Sequence, residues 1–380
     1  MTTTRKNSDT MKKTETNKTS LSKIRVLMIN TVPTDDNGIT QVIKNYLEHI
    51  DRKKIEVDLV SINKPKLGLL NRITKTGSTV FVLPNRMKHP FLYMLKLFQI
   101  SKTYDIVHIH GNSATMCMEL IITKLGKVSH RIVHCHNTSC KYKKIDVILR
   151  PIFYRLYTES YACSEMAGEW LFRNKKYIVM NNAFEIERFI YKPEVRAELR
   201  EKLGLENKHV VGHVGIFNYQ KNQKFLLEIF KEYKKMKSEA VLVLIGNGEL
   251  EKELQMYASE IGISESVLFL GAQEKVNDLL NIFDYFVFPS LYEGLGIAII
   301  EAEVNGLPVL ASKSVIPNEV NIISNFRFVS LDKPAKVWAD YLIGTDMQRD
   351  NNAYEKVYRA GFSINTQINV LENRYYNMMG

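Results

Sequence analysis

The chain has 380 residues, of which 45% are hydrophobic and 24% are charged. This balance excludes a mostly disordered protein, and the length is enough for two or three domains, each with its own core. The net charge is +11, but residues 1–190 carry +15 and residues 191–380 carry −4. The first half is therefore expected to meet an anionic partner: nucleic acid, acidic lipid or a phosphorylated substrate.

The first twenty residues, Met1 to Ser20, are rich in Thr, Lys and Asn and contain no apolar segment. We interpret residues 1–22 as a disordered polar tail and not as a targeting signal. No window approaches eighteen consecutive apolar residues, so no membrane-spanning helix is expected. The four cysteines form no C-x-x-C pair, and free thiols in a reducing cytoplasm are the expected state.

Short runs rich in Val and Ile alternate with helix-length segments, a pattern typical of buried parallel strands in βαβ units. The strands predicted in the first half are 24–30, 55–61, 78–83, 105–110, 131–136 and 177–180. Those predicted in the second half are 209–215, 240–246, 267–271, 284–289, 308–311 and 326–330.

The strand pattern restarts after a charged helical stretch over residues 192–204. We therefore predict two Rossmann-like, doubly wound α/β domains facing across a cleft. Their expected ranges are 23–190 and 191–362, and a C-terminal helix over 363–380 is expected to cross back to the first domain. Ligands of such sheets bind beyond the carboxyl ends of the strands, so the residues there are the candidate site residues.

Two predicted strands of the first half end in pairs of histidines, His108 with His110 and His134 with His136. Residues two apart on a strand lie on the same face, so four imidazoles are expected near one crevice. They are interpreted as a metal site, as hydrogen-bonded strand ends or as substrate contacts. A metal site is the least favoured of these, because no carboxylate is spaced to complete it.

In the second half, the predicted strand 284–289 is followed by a glycine-containing loop and a short helix that begins near Gly296. The first amides of such a helix form a site for a phosphate. Glu293 in the loop and Glu301 in the helix flank that position and suit the sugar and ribose hydroxyls of a nucleoside diphosphate sugar. The alternative is a capped helix with two solvated glutamates.

The segment Pro289–Ser312, PSLYEGLGIAIIEAEVNGLPVLAS, closely resembles the E-x7-E region of family 4 retaining glycosyltransferases of GT-B fold. It is most similar to the branch of these enzymes that makes bacterial capsules and exopolysaccharides. Val211–Asn222, Leu244–Glu249 and Val267–Gly271 carry supporting strings, and the resemblance extends from about residue 23 to the C-terminus.

The resemblance implies that Glu293 binds donor-sugar hydroxyls, that Glu301 binds the ribose and that Lys221 pairs with the diphosphate. It also implies that His110 lies beside the donor sugar. The expected catalytic residues are therefore His110, Glu293 and Lys221. His136 and Asn137 are expected to line the cleft. The remaining expected donor-binding residues are Gly38, Gly215, Gly246, Gly294, Leu295, Gly296 and Ile297.

Two positions depart from the family pattern. The family usually has an arginine after the glycine of Val-Gly-Arg, whereas this chain has Ile216. Losing that cationic contact weakens donor binding unless another group replaces it, and Lys224 is the candidate replacement. The loop after the first strand has one glycine, Gly38, where the family often has two, and Asn37 is expected to tolerate a positive φ there.

The positive charge is concentrated in two stretches. Residues 59–104 contain eight Lys or Arg and no Asp or Glu, and residues 120–145 repeat the pattern. Apolar residues interleave with the first stretch, notably at 67–70 and 91–98. Such surfaces suit docking on an anionic bilayer. The alternatives are an ordinary helix with solvated lysines and, least favoured, a nucleic-acid surface, for which no reader motif occurs.

These observations together predict a metal-independent retaining hexosyltransferase without a cofactor. It would move a hexosyl or N-acetylhexosaminyl group from a nucleoside diphosphate sugar, a UDP-sugar being favoured, to a lipid-linked saccharide. The expected location is the cytoplasmic face of the plasma membrane, and no nucleic-acid partner is expected. The alternatives are a non-catalytic or partner-dependent subunit, motivated by Ile216, and a sugar-nucleotide epimerase on the same fold.

Overall fold

The computed structural model describes residues 23–35 and 37–380, so the tail predicted over residues 1–22 lies outside the described residues. Its centre is a pair of β-sheets, one of seven and one of six strands, and every pairing between strands is parallel. This is the two-domain, Rossmann-like α/β architecture that the alternation of apolar runs and helices predicts.

The first sheet occupies the N-terminal half of the chain. Its strands are β1 (Ile24–Asn30), β2 (Ile55–Ser61), β3 (Val80–Val82), β4 (Ile106–Gly111), β5 (His130–Cys135), β6 (Glu159–Ala162) and β7 (Ile178–Val179). Their spatial order is β3-β2-β1-β4-β5-β6-β7. The winding direction reverses between β1 and β4, so the carboxyl ends of these two strands border the crevice where such sheets bind ligands.

Helices cover both faces of this sheet. They are α1 (Gly38–His49), α2 (Leu67–Lys75), α3 (Pro90–Ser101), α4 (Cys117–Leu125), α5 (Lys143–Phe153) and α6 (Glu165–Phe172). The alternation of side chains along β1 assigns the layers: Leu27 and Ile29 pack with α3, α4, α5 and α6, whereas Val26 and Met28 pack with α1 and α2.

The second domain follows α7 (Pro193–Leu203). Its strands are β8 (His209–Val214), β9 (Ala240–Ile245), β10 (Val267–Phe269), β11 (Tyr285–Phe288), β12 (Val309–Ser312) and β13 (Phe326–Val329). Its helices are α8 (Gln223–Met236), α9 (Glu251–Glu260), α10 (Val276–Leu279), α11 (Ile297–Val304), α12 (Ala335–Gly344) and α13 (Ala353–Arg359). The strand order is β10-β9-β8-β11-β12-β13, and the switch point lies between β8 and β11.

The last helix, α14 (Ile364–Met379), packs on the first domain although it follows the second in the chain. Its apolar face joins the core that α1 and β1 form, and Glu372 accepts a hydrogen bond of 2.6 Å from the amide of Asp51. The buried residues of that face are Ile364, Ile368, Leu371 and Tyr375.

The structure corrects two details of the prediction. Strand β6 was not expected, because its sequence Glu-Ser-Tyr-Ala lacks an apolar run, yet pairing with β5 and β7 makes it a strand. Leu97 belongs to the apolar run interpreted as a docking surface, but it is fully buried in the core between α3 and the sheet. Its helical neighbours Phe91 and Leu95 are exposed.

One carboxylate joins the connecting helix α7 to the second sheet. Asp284 precedes β11 and accepts hydrogen bonds from Arg196 at 2.5 Å, from Arg200 at 3.1 Å and from the Val210 amide at 2.7 Å. The Arg200 side chain is buried. Removing the carboxylate charge would leave a buried guanidinium without its counterion, which is strongly destabilising.

We expect Asp284→Asn to lower the free energy of unfolding by about 3 kcal/mol, the typical cost of breaking a mostly buried ion pair. The matched control is Asp340→Asn, which breaks an exposed pair with Lys336 and should cost less than about 0.5 kcal/mol. Denaturant unfolding at pH 7 measures both values. Equal losses in the two variants would contradict the role given to Asp284.

Candidate active site

The candidate site lies where the carboxyl ends of the two sheets approach each other. From the second sheet, the loop 289–296 follows β11 and leads into α11. Its last residue, Gly296, has φ +90° and ψ 56°, a left-handed conformation that favours glycine. No described side chain caps α11, and the Ile299 amide donates to the Gly296 carbonyl at 2.9 Å, so the amides of Ile297 and Ala298 are the ones left to an anionic ligand.

Lys221 and Glu293 come together in this site. The Lys221 Nζ atom donates to Glu293 Oε1 at 2.8 Å, and it stands 4.5 Å from the centre of the Phe288 ring. Lys221 ends a short 3-10 helix, Tyr219–Lys221, that the Asn218 side chain caps. Both charged side chains are largely buried. Two of the residues predicted to bind opposite parts of the donor therefore neutralise each other in this structure.

Gly215 and Gly246 lie at the ends of the neighbouring strands β8 and β9, beside this pair. The Gly215 amide donates to the Ile245 carbonyl at 3.0 Å, and the Gly246 amide donates to the Gly271 carbonyl at 2.9 Å. A Cβ atom on Gly215 would lie 3.3 Å from the Lys221 Cε atom. The backbone at these two predicted donor-binding glycines therefore borders the site next to Lys221.

The first domain contacts the donor loop directly. A Cβ atom built on Gly294 would lie 1.9 Å from the carbonyl oxygen of His136, so only glycine fits this approach of two backbones. The hydroxyl of Thr138 donates to the carbonyl of Glu293 at 3.0 Å, and that of Ser164 donates to the carbonyl of Gly294 at 2.5 Å. Two hydroxyls of one domain thus hold two successive carbonyls of the other.

The four strand-end histidines form one buried stack. The rings of His108 and His110 lie 4.2 Å apart, and those of His134 and His136 lie 4.1 Å apart. His110 Nδ1 and His136 Nε2 share a hydrogen bond of 2.9 Å, and His108 Nδ1 shares one of 2.8 Å with the hydroxyl of Tyr375 on α14. Among the described residues, none forms a hydrogen bond with the buried His110 Nε2 atom.

Burial keeps the histidine stack neutral. It lowers the pKa of His108, His110 and His134 well below the ordinary value, helped by the neighbouring imidazoles, and that of His136 to about 3. At neutral pH these rings act as hydrogen-bonding groups and not as cations.

Ring nitrogens of three of these residues approach closely enough to suggest a metal site. His108, His110 and His134 bring ligand atoms within 4.8 Å of one another, the one such group in the described part of the chain. A metal ion lies in the plane of each imidazole that binds it, about 2 Å from the nitrogen. Rings stacked nearly parallel, at 10° to 34°, do not converge on such a point.

Glu301 lies half-buried on the first turns of α11. Burial raises the pKa of its carboxyl to about 7, although nearby cations favour the charged form. Those cations are Lys44 on α1, Arg188 and Lys221. Glu301 therefore changes its charge close to neutral pH, and a cation of the first domain acts on it.

The loop before α1 differs from the expectation for Asn37. Its φ is −109°, so it takes no left-handed conformation, and its side chain accepts from the Thr40 amide at 3.0 Å as the N-cap of α1. A Cβ atom on Gly38 would lie 4.0 Å from the Ile297 side chain, at ordinary contact distance. Gly38 and the start of α11 therefore meet across the cleft.

The structure does not bring Lys224 to the Lys221–Glu293 pair. Its ammonium group stands 4.5 Å from the centre of the Tyr257 ring on α9, on the surface of the domain. Ile216, which takes the place of the usual arginine, is 40% exposed. Asn137 is half-buried in the loop after β5, where its side chain accepts from the Thr138 amide at 2.8 Å.

Sequence reasoning missed four residues of this region: Lys44, Thr138, Ser164 and Tyr375. Thr138 follows His136-Asn137, so its place after β5 was a usable signal. Ser164 follows β6, the strand that was not predicted. Lys44 and Tyr375 reach the site from helices, α1 and α14, and only the tertiary fold assigns them there.

Comparison with known proteins agrees with this architecture. Residues 195–343 match the family described as Glycosyl transferases group 1. A putative glycosyltransferase of Bacillus subtilis, EpsF, is 28% identical over 80% of this chain and 83% of its own length. The UDP-Gal:alpha-D-GlcNAc-diphosphoundecaprenol alpha-1,3-galactosyltransferase of Escherichia coli is 26% identical over 78% of this chain and 81% of its own length.

The capsular polysaccharide biosynthesis glycosyltransferase CapH of Staphylococcus aureus is 26% identical over 76% of this chain and 81% of its own length. Among solved structures, Anabaena HepE in complex with UDP-glucose superposes with a TM-score of 0.77 at 19% identity, over 92% of this chain and all of that one. The family match and the relatives confirm the resemblance inferred from the glutamate motif, and the superposition confirms the GT-B fold. This chain is therefore a glycosyltransferase of GT-B fold, related to enzymes of polysaccharide synthesis, and its C-terminal domain is a Glycosyl transferases group 1 domain.

Proposed function

We propose that this protein transfers a hexosyl or N-acetylhexosaminyl group from a UDP-sugar to a lipid-linked saccharide, with retention of configuration, during synthesis of a bacterial capsule or exopolysaccharide. The observation that carries the proposal is the pairing of Lys221 with Glu293 beside the open N-terminus of α11. This arrangement brings together a cation that can bind a diphosphate, a carboxylate that can accept bonds from sugar hydroxyls, and backbone amides that can donate to the diphosphate.

In the proposed reaction, the bond between C1 of the sugar and the diphosphate breaks and a hydroxyl oxygen of the acceptor bonds to C1. The acceptor proton leaves on a diphosphate oxygen. Lys221 and the amides at the start of α11 stabilise the negative charge that develops on the departing diphosphate. Glu293 and the free Nε2 atom of His110 orient the sugar. No step requires a metal ion or a cofactor.

Donor binding would exchange partners inside the site. Lys221 would leave Glu293 for the diphosphate, and Glu293 would accept bonds from sugar hydroxyls instead. Because His110 is fully buried and Glu293 is nearly so, the donor loop and the first domain must separate to admit the ligand and then close again. On closure, Thr138 and Ser164 would again donate to the carbonyls of Glu293 and Gly294, and water would be excluded from the reacting atoms.

One relative and one solved structure of the same fold support the choice of substrates. The name of the Escherichia coli relative specifies UDP-Gal as donor and a diphosphoundecaprenol-linked sugar as acceptor. The HepE structure contains UDP-glucose. A lipid-linked acceptor also fits the positive charge of the first half, because the membrane that carries such a lipid is anionic on its cytoplasmic face. Among the described residues, no helix has both the length and the hydropathy of a membrane span.

The exposed Ile216 favours one alternative, a subunit that needs a partner for activity. No cation stands at that position, and Lys224 is engaged with Tyr257. In our proposal Lys44 and Arg188, two cations that act on Glu301, supply the positive charge that Ile216 lacks. Activity that appears only with a second protein would favour the alternative.

Calorimetric titration with UDP-glucose, UDP-galactose and their N-acetylated counterparts tests the proposal. We expect donor-dependent heat for one of these sugars, much weaker nucleotide binding for Glu301→Ala, and near-normal binding of UDP with strongly reduced transfer for Glu293→Ala. Wild-type protein that gives no heat with any donor, with or without membranes, would overturn the assignment as an active enzyme. Equal and negligible effects of the two substitutions would overturn the roles of the glutamates.

The affinity for UDP should depend on pH through Glu301. Its carboxyl has a pKa of about 7, and only the charged form is a full acceptor for ribose hydroxyls, so affinity should rise with pH up to about 7 and level off above it. Below that value each pH unit should weaken binding by up to tenfold. Glu301→Gln should bind weakly with a flatter profile, and an unchanged profile in this variant would exclude Glu301 as the titrating group.

Gly294→Ala tests the contact between the domains. The added methyl group meets the His136 carbonyl, so the donor loop cannot close in its present position. We expect kcat/KM to fall about 100-fold, because small displacements of reacting groups have effects of this size. The control is Gly344→Ala, where a Cβ atom meets nothing within 4 Å. Wild-type kcat/KM in Gly294→Ala would show that the contact is not needed for transfer.

A further inference from the structure

The outward side of α5 is apolar, although it faces solvent. Its exposed aliphatic side chains include Ile148 at 73% and Ile152 at 48% exposure. Two more residues of the same helix, Ile145 and Val147, are also exposed. A surface helix of a water-soluble domain normally turns such residues towards the core.

Two charged residues of α5, Asp146 and Arg150, face inwards, whereas Lys143 and Lys144 in its first turn are exposed. Asp146 is buried, accepts from the Ala114 amide at 2.7 Å and forms an ion pair with the buried Arg150 at 2.7 Å. The Arg150 guanidinium stands 5.2 Å from the centre of the Trp170 ring. From Asp146 to Ile152 the helix thus turns its charged residues inwards and most of its aliphatic residues outwards, and the two buried charges are paired with each other.

The neighbouring helices extend this apolar surface. α3, α4 and α5 cover the same face of the first sheet, and α4 packs between the other two. Phe91 of α3 is 82% exposed, and Leu95 on the same helix is exposed with Ile121 and Leu125 on α4. We call the outward side of these three helices the α3–α5 face. Exposed apolar side chains on three neighbouring helices are typical of an interaction site.

The charge of the α3–α5 face has one sign. Exposed lysines surround it, whereas the three carboxylates between residues 83 and 158, Asp105, Glu119 and Asp146, are not exposed. The exposed lysines are Lys88, Lys96, Lys102, Lys124, Lys127, Lys141, Lys143 and Lys144. A partner must therefore offer both an apolar interior and a negative surface.

We propose that the α3–α5 face docks on an anionic lipid bilayer, with the outward residues of α5 inserted among the acyl chains and the lysines on the headgroups. A bilayer offers hydrocarbon beneath negative charge, which matches this face in both respects. A second copy of the chain is a poorer occupant, because it would present the same positive charge to these lysines.

This inference rests on the proposed function for its role. His136 and Thr138, which contact the donor loop, lie shortly before α5, and the chain from Thr138 to Lys143 spans at most roughly 18 Å. A docked α5 therefore holds the cleft close to the headgroups. A lipid-linked acceptor, whose diphosphate lies at that level, would reach the site without leaving the membrane.

Vesicle flotation tests the proposal with the full chain and without donor or acceptor. We expect binding to vesicles that contain phosphatidylglycerol and little binding to phosphatidylcholine alone. Ile148→Glu should weaken binding at least tenfold. The matched control Val370→Glu, an exposed aliphatic residue of α14 on the opposite face of the sheet, should bind as wild type does. The triple substitution Lys141→Gln, Lys143→Gln and Lys144→Gln should weaken binding about 100-fold, or about fivefold for each lysine.

Three results would overturn the proposal: equal binding of Ile148→Glu and wild type, equal binding to both kinds of vesicle, or a wild-type dimer that Ile148→Glu dissociates. The last would assign the face to a second copy of the chain. Calorimetric titration with UDP, done on the same variants in solution, keeps the two proposals apart. A variant that loses vesicle binding but still binds UDP bears on the docking proposal alone. Protein that binds vesicles but does not bind UDP contradicts the proposed function alone.

Discussion

The approach of two backbones at Gly294 sets the geometry on which the site depends. Without a side chain there, the donor loop of the second domain reaches the His136 carbonyl of the first. The hydroxyls of Thr138 and Ser164 satisfy two carbonyls that this approach would otherwise leave in a dry interface. His110 from one sheet and Lys221 with Glu293 from the other therefore border the same crevice, although they are more than a hundred residues apart in the chain.

Much of this arrangement was accessible from the sequence. Alternating apolar runs predicted two parallel sheets, and the glutamate motif predicted a loop followed by a helix with an open N-terminus. Both features are local, since hydrophobic runs and a glycine before a helix depend on neighbouring residues. The sequence also indicated that the four histidines would share one crevice, because residues two apart on a strand face the same way.

The remainder depends on contacts between distant segments. By its spacing Lys224 was a reasonable substitute for the missing arginine. Because α8 packs against α9, however, its ammonium group lies over the Tyr257 ring. Strand β6 was missed because its polar sequence forms a strand only between two others. The pairing of Lys221 with Glu293 was not foreseen either, since each had been assigned to a ligand and not to the other. The charge pattern indicated that the first half carries a positive surface, whereas only the structure shows that the α3–α5 face carries it.

The return of α14 to the first domain also has a consequence for how the protein is made. Four side chains near the C-terminus complete a core whose other members lie within the first 183 residues, and Tyr375 is the hydrogen-bonding partner of His108. During synthesis from the N-terminus, the first domain emerges first but lacks this part of its core until the last helix leaves the ribosome. The core of the second domain contains none of α14, so we expect the first domain to complete its core after the second.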